Sequence, residues 1–139
     1  EQDDVKASLA TFIKQALNKT NDQLIDSYVY TFDFGKKTNM YLTYMNTGEQ
    51  RERGIELLEL KQHYKKSGFE VTDKELPDYL PLLLEFFANA NEQDSEPIMS
   101  KYKENIQALH VQLKEAGSMY EPILAAVLLA IDTWGVQTN

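Results

Sequence analysis

The stretch ELPDYLPLLLEFF, residues 75–87, decides the fold. Pro77 biases the residue before it away from helical backbone, whereas Pro81 is well tolerated in the first turn of a helix, where no N–H bond is lost. We therefore predict a helix that Asp78 caps with its side-chain oxygen and that continues to Ala90. The leucines and phenylalanines after Pro81 exceed what one helical face requires, so this segment is either a core helix or one wall of an apolar groove.

Apolar side chains at helical spacing continue before this stretch and predict further helices. Asn21 or Asp22 is expected to cap a second helix, and Gly35 is expected to end it. The inward stripe predicted for the first helix is Val5, Leu9, Phe12, Ile13, Ala16 and Leu17. The stripe predicted for the second helix is Leu24, Ile25, Tyr28, Val29 and Phe32.

Glycine and proline divide the rest of the chain into helices and connections. Residues 49–66 are predicted to form an amphipathic helix that Gly68 ends, and the polar residues 89–96 are expected to be an exposed loop. Helices are also predicted over 97–116 and 118–134, with Gly117 ending the first of them. The side chains expected to point inward are Ile55, Leu58, Tyr64, Ile98, Tyr102, Ile106, Leu109 and Leu113. The prediction is a single all-α domain over residues 1–139, a bundle of about six to seven helices.

Residues 28–45 fit two structures. YVYTFDF and MYLTYM are rich in aromatic and β-branched side chains, and GKKTN between them would suit a hairpin loop. The stripe of the second helix nevertheless keeps its helical spacing through Phe32, and Tyr41, Tyr44 and Met45 share a helical face. Periodicity therefore favours helix over hairpin.

Composition narrows the class of partner. Twenty-two acidic residues against fourteen basic ones give a net charge of −8, which repels phosphate backbones and anionic lipid heads and favours a cationic peptide. The chain has no cysteine, which excludes disulfides and thiolate metal sites and fits the cytoplasm. No apolar run approaches the ~20 residues that span a bilayer, and no signal peptide is visible. The first residue is Glu1 rather than Met, so we expect a shortened chain.

Motifs for catalysis are absent from the sequence. It contains no GxxxxGK[ST], GxGxxG, HExxH or GxSxG pattern. His63 lies one turn after Glu59 and two turns after Glu56, a spacing that would allow a metal ion, but an exposed charged helix face explains it better. We predict no catalytic residue, no metal site and no cofactor, and hence a protein that is not an enzyme.

Two clusters remain for binding. In GEQRERG, Arg51 and Arg53 project about 200° apart on a helix, so one of them either holds a buried carboxylate such as Asp33 or Glu75 or forms a surface ion pair. In ELPDYLPLLLEFF, acidic side chains would rim the apolar groove, and such a site suits an amphipathic helical peptide with a basic end. The rim residues are Glu75, Asp78 and Glu85.

Three motifs in this order, FDFGKKTNMYLTYM, GEQRERGIELLELKQHYKKSGFEV and ELPDYLPLLLEFFA, resemble those of the NarJ family of nitrate reductase molybdenum cofactor assembly chaperones. This family is part of the TorD/DmsD group of redox-enzyme maturation chaperones. The likeness covers about residues 28–88, and its three ordered motifs are more specific than any one of them. It implies a TorD/NarJ-like helical bundle and a non-catalytic protein in the cytoplasm.

The resemblance also implies the partner. Chaperones of this kind bind the N-terminal segment of the nitrate reductase α subunit and hold the apoenzyme for cofactor insertion before it docks at the membrane. A sibling chaperone that binds the twin-arginine signal peptide of another molybdoenzyme is the alternative. A homodimer is a further expectation, because shortening the chain would expose apolar surface.

The family positions map onto this sequence as follows. The peptide-binding residues implied by the resemblance and by the groove are Tyr28, Phe32, Asp33, Tyr41, Glu75, Pro77, Asp78, Tyr79, Leu82 and Glu85. Arg51, Arg53 and Gly54 match the RDRG-like motif and are expected to be structural. Many relatives have a histidine where this chain has Tyr79, which weakens any pH-dependent role at that position.

Overall fold

The computed structural model describes residues 2–44 and 50–138, and its elements are helices. Their order is α1 (Gln2–Leu17), α2 (Asn21–Tyr28), a π-helical segment (Val29–Asp33), α3 (Gln50–Lys66), α4 (Leu80–Asn89), α5 (Glu92–Glu115) and α6 (Glu121–Thr138). Within the described ranges the only β-type pairing is an isolated bridge between Tyr41 and Tyr79. The all-α prediction is therefore confirmed.

The chain divides into two compact units. The first unit comprises residues 1–39 and 103–139, and the second comprises residues 40–102. Helices α1, α2 and α6 belong to the first unit and α3 and α4 to the second, whereas α5 contributes residues to both. The prediction of one domain over residues 1–139 stays a prediction.

Helix α1 packs against α6 in the first unit and buries a narrower stripe than predicted. Phe12 and Ala16 are half-buried, but Leu9, Ile13 and Leu17 are 39%, 54% and 79% exposed. A helix that contacts chiefly one neighbour covers only the side chains aimed at it. The predicted six-residue stripe was therefore too wide.

Helix α2 begins differently from the prediction. Thr20, not Asn21 or Asp22, is its N-cap, since the Thr20 hydroxyl accepts from the Gln23 N–H at 3.2 Å and the Gln23 side chain accepts from the Thr20 N–H at 2.9 Å. This reciprocal pair is a capping box, and it satisfies two free donors at once. Thr20 has the extended backbone that a cap needs.

The ambiguous segment is helical only in its first half. The π-helix carries helical backbone through Asp33, but Tyr41 forms a bridge and residues 42–44 form a turn, so the helix predicted there is wrong for the described residues. Met45 lies outside the described residues. The hairpin alternative is also wrong, because Tyr41 pairs with Tyr79 instead of with residues before GKKTN.

The buried stripe of α5 was predicted correctly. All five apolar residues of the α5 stripe are at most 4% exposed, and these are Ile98, Tyr102, Ile106, Leu109 and Leu113. Gly68 and Gly117 end α3 and α5 at φ of 78° and 65°, and each places the following N–H on a carbonyl five residues earlier. This closure satisfies the last carbonyls of each helix, as the predicted glycine stops require.

Two other expectations were wrong. Residues 89–96 are mostly helical, because Asn91 accepts from the Asp94 N–H at 2.8 Å and starts α5 ahead of Pro97. Ile55 and Leu58 are 51% and 57% exposed, while Leu60 and Tyr64 form the buried face of α3.

Among the residues that the structure describes, no helix combines the length and the apolar character needed to span a membrane.

Phe86 lies at the centre of an aromatic cluster in the second unit and is 0% exposed. Its ring is 4.8 Å from that of Tyr64 and 5.6 Å from that of Phe69. Phe86→Ala should lower the free energy of unfolding by about 3–5 kcal/mol in denaturant titrations, because it removes a buried ring and leaves a cavity. Phe34→Ala is the matched control, since Phe34 is 75% exposed, and a shift above about 0.5 kcal/mol there would contradict this assignment.

Candidate functional site

The sequence had suggested that Asp78 caps α4, and this prediction was wrong. The N-cap is Tyr79, and Asp78 is fully buried in the second unit. Its Oδ2 accepts from the Thr43 backbone N–H at 2.9 Å and from the Thr43 hydroxyl at 2.7 Å. Arg53 completes the group: its Nε donates to Thr43 Oγ1 at 2.9 Å, and its Nη2 lies 3.7 Å from Asp78 Oδ2. An unpaired carboxylate at this depth would be strongly unfavourable, so these donors stabilise it.

Backbone hydrogen bonds join the same segments. The Leu42 N–H donates to the Asp78 carbonyl at 3.2 Å, and the Leu80 N–H donates to the Met40 carbonyl at 2.9 Å. Tyr64 on α3 adds a bond of 2.6 Å from its hydroxyl to the Pro77 carbonyl. Residues 40–44 are therefore fixed to the start of α4 by both main chain and side chains.

The second oxygen of Asp78 is unusual. Oδ1 is buried and has no hydrogen-bond partner among the described residues. Buried polar atoms in folded proteins nearly always have a partner, and leaving one unpaired costs about 1–3 kcal/mol. Arg53 offsets part of this cost through its charge, since its side chain is one-third exposed and lies beside the carboxylate.

The outer side of this junction carries a polar and aromatic surface. The Tyr41 hydroxyl donates to Glu75 Oε1, and the Tyr41 and Tyr79 rings lie 5.2 Å apart. The bond to Glu75 is the main cause that raises the pKa of Tyr41 to about 12, with burial and the Glu75 charge acting in the same direction. All three side chains are half-buried and so remain accessible.

Helix α4 extends this surface. Tyr79, Leu82 and Glu85 follow one another at a spacing of three residues and so share a helical face. Leu82 is half-buried and Glu85 is exposed, whereas the opposite side of the helix is in the core. We call the five residues Tyr41, Glu75, Tyr79, Leu82 and Glu85 the Tyr79 face.

The predicted site residues therefore have different surroundings. Five of them form the Tyr79 face, while Pro77 and Asp78 are buried beneath it. The other three, Tyr28, Phe32 and Asp33, belong to the first unit.

In the first unit, Phe32 is buried, and its ring centre lies 5.1 Å from that of Tyr28 and 4.9 Å from that of Tyr120. Asp33 is exposed.

The arginine prediction was right in kind and wrong in partner. Arg53 holds a buried carboxylate, but this is Asp78 rather than Asp33 or Glu75. Arg51 and Gly54 are exposed. Thr43, which makes the two shortest bonds to Asp78, was missed, because a lone threonine in MYLTYM carries no motif that would reveal a partner 35 residues away.

The candidate metal position on α3 has no support from the geometry. Glu59 and His63 are exposed, and Glu56 instead lies 3.4 Å from the Tyr102 hydroxyl and 4.0 Å from Lys101. In the described parts of the chain, no group of three or more His, Asp or Glu side chains is placed to hold a metal ion.

The sequence matches a family model described as "Nitrate reductase delta subunit" over residues 1–126, which is most of the chain. Among named relatives, the probable nitrate reductase molybdenum cofactor assembly chaperone NarJ of Bacillus subtilis is 49% identical over 135 residues. That alignment covers 97% of this chain and 73% of the relative.

Two more distant relatives also have names that refer to nitrate reductase. The nitrate reductase molybdenum cofactor assembly chaperone NarJ of Escherichia coli K12 is 28% identical over 76% of this chain and 45% of its own length. The nitrate reductase-like protein NarX of Mycobacterium tuberculosis is 37% identical over 78% of this chain but only 17% of its own length. In NarX the matching region is thus a small part of a much longer protein.

Replacing Asp78 tests the buried junction. Asp78→Ala leaves the Thr43 N–H and hydroxyl without their acceptor, so the free energy of unfolding should fall by about 2–3 kcal/mol. This loss should change little between low and high salt, because solvent ions screen buried pairs weakly. Asp73→Ala is the matched control: Asp73 pairs with Lys61 at 2.7 Å on the surface, and no measurable change is expected there. Equal effects of the two substitutions would contradict the assignment.

The Tyr41–Glu75 bond has a pH signature. Because the folded pKa of Tyr41 is raised above its ordinary value of 10, the stability that this bond contributes is fully present below pH 10 and is lost as pH rises towards 12. The difference between ultraviolet titrations of the wild type and Tyr41→Phe isolates this phenol. Glu75→Gln should return its midpoint towards 10, and an unchanged midpoint would show that Glu75 is not the cause.

Proposed function

The chain belongs to the nitrate reductase delta subunit family, and on this basis we propose that it is a NarJ-type assembly chaperone that binds the N-terminal segment of the nitrate reductase α subunit. It holds the apoenzyme while the molybdenum cofactor is inserted and before the enzyme docks at the membrane. It acts by binding rather than by catalysis, and it works in the cytoplasm. The relatives' names support the chaperone role.

The Tyr79 face is the observation that carries the peptide-binding proposal. It combines an apolar centre, Tyr79 and Leu82, with carboxylates at Glu75 and Glu85. An amphipathic helix with a basic end meets both needs, since its apolar side chains cover the centre and its cations face the carboxylates. The net charge of −8 attracts such a peptide at long range.

The buried junction supports this proposal because it holds the face in a fixed arrangement. Its backbone is held by the Asp78 network and by two main-chain hydrogen bonds, so little conformational entropy is lost when a peptide docks. Asp78 thus supports the site from below, where the sequence had suggested a charged rim. Arg53 has the same supporting role.

The remaining proposed contacts lie in the first unit. Asp33 is exposed there and offers a further carboxylate to a cationic peptide. Tyr28 is 39% exposed and available for contact, whereas Phe32 is buried and is proposed to act by holding Tyr28 in place.

A peptide that copies the first ~15–20 residues of the nitrate reductase α subunit should bind with a Kd on the order of micromolar by calorimetry. Leu82→Ala should weaken binding by about three- to tenfold at any salt concentration, because the lost contact is apolar. Glu85→Gln should weaken it by about two- to fivefold at low salt, and this defect should shrink as salt rises.

Matched controls separate the face from general effects. Leu58→Ala removes an exposed leucine from α3, and Glu70→Gln removes an exposed carboxylate of the second unit. Both should bind as the wild type does. Absence of heat, together with failure to compete with the full α subunit, would refute the proposal. If a twin-arginine signal peptide binds more tightly than the α-subunit peptide, the protein is instead a sibling chaperone of another molybdoenzyme. Light scattering on the same samples measures whether the protein forms the proposed homodimer.

A further inference from the structure

The first unit contains a cavity that the peptide-binding proposal does not use. Its volume is about 850 Å³, within the range of about 300–1,000 Å³ typical of small-molecule sites. The end of α1, the π-helix with the loop after it, and the turn between α5 and α6 form its walls. The cavity therefore belongs to one compact unit and is independent of the Tyr79 face.

The charge of the lining is opposite to that of the whole chain. Three lysines, Lys19, Lys36 and Lys37, line the cavity against one acidic residue, Glu115, so the formal balance is 3 − 1 = +2 in a chain of net charge −8. None of these lysines has an ion-pair partner within the part of the chain that the structure describes. Unpaired cations around a concave surface create a local positive field.

The helix ends at the cavity do not reverse this sign. The C-terminal ends of α1, of α5 and of the π-helix that continues α2 contribute about −0.5 charge each, less in sum than the excess of +2. The turn at Gly117 also removes free carbonyls from the wall, since the Gly117 N–H donates to the Lys114 carbonyl and the Ser118 N–H to the Leu113 carbonyl. The site therefore favours an anion.

Two aromatic side chains flank the lysines. Tyr30 and Phe34 line the cavity and are 78% and 75% exposed, so they lie at its mouth. Exposed aromatic side chains of this size contribute little to a core and often mark binding surfaces. Faces of this kind stack on planar rings, and each such contact is worth about 1–3 kcal/mol for a nucleic-acid base.

The loop that carries two of the lysines is held in place. The Thr38 hydroxyl donates to the Thr31 carbonyl, and the Phe34 N–H donates to the Val29 carbonyl at 3.1 Å. A Cβ at Gly35 would collide with both Thr38 and Thr31, so only glycine allows this closure. The loop starts directly after a π-helical segment, a backbone form that is frequent at functional sites.

We propose that this cavity binds a small phosphorylated ring compound of the nucleoside diphosphate class. The lysines pair with the phosphate groups, and Phe34 and Tyr30 stack on the ring. The concave shape and the volume favour a small molecule over an acidic peptide, which would need a row of cations along an extended groove. This proposal does not rest on the peptide-binding function, since the two sites share no residue.

Equilibrium binding to the full chain tests the proposal with guanosine diphosphate, adenosine diphosphate, inorganic pyrophosphate and guanosine as probes. The diphosphates should bind with a Kd on the order of 10–100 µM, pyrophosphate more weakly, and guanosine not measurably. Lys36→Gln/Lys37→Gln should weaken the diphosphates by about tenfold or more, because two charge-assisted bonds are lost. Phe34→Ala should weaken the diphosphates but leave pyrophosphate unchanged.

The matched control is Lys65→Gln/Lys66→Gln. These two exposed lysines lie at the end of α3, and their replacement changes the net charge by the same amount. Diphosphate binding should stay within twofold of the wild type in this variant. An equal loss in both double variants, no diphosphate binding at 1 mM, or binding of a polyglutamate peptide in place of the diphosphates would overturn the proposal.

Discussion

The buried carboxylate of Asp78 is the interaction on which the second unit depends. A carboxylate with no exposed surface is tolerated only where donors surround it, and here the donors come from a turn and a helix far from it in sequence. Thr43 supplies two hydrogen bonds and Arg53 supplies the positive charge. Because each donor must be in place at once, the network links residues 40–44, α3 and the start of α4 into one junction.

This constraint turns an ordinary helix start into a surface with a fixed arrangement. With residues 40–44 held against α4, the Tyr41 ring lies beside that of Tyr79, and its hydroxyl reaches Glu75. The groups that face solvent therefore owe their positions to groups that do not. Replacing a buried residue of the Asp78 network would change the arrangement of the Tyr79 face without altering any residue of that face. Effects of a mutation on binding therefore have to be separated from its effects on stability.

Local patterns predicted those features that local forces determine. The stripe of α5 and the glycine stops at Gly68 and Gly117 followed from helical period and from backbone freedom, and both are confirmed. The role of Asp78 could not be predicted in this way, because an aspartate before a helix has the same sequence pattern whether it caps the helix or is buried. Its partner Thr43 is 35 residues away, and only the tertiary fold brings the two together. The stripe of α1 failed for a related reason, since periodicity does not reveal how many neighbours a helix has.

The aromatic segment at the end of α2 shows why stability alone does not explain this sequence. Phe32 is buried against the Tyr120 ring in the core of the first unit, and the partly exposed Tyr28 packs against both rings. Tyr30 and Phe34 alternate with them along the chain, yet these two side chains are 78% and 75% exposed. A fold that needed only a core would lose nothing with polar residues at these two positions. We therefore interpret their exposure beside the cavity lysines as the mark of a second binding site, separate from the one that we propose at the Tyr79 face.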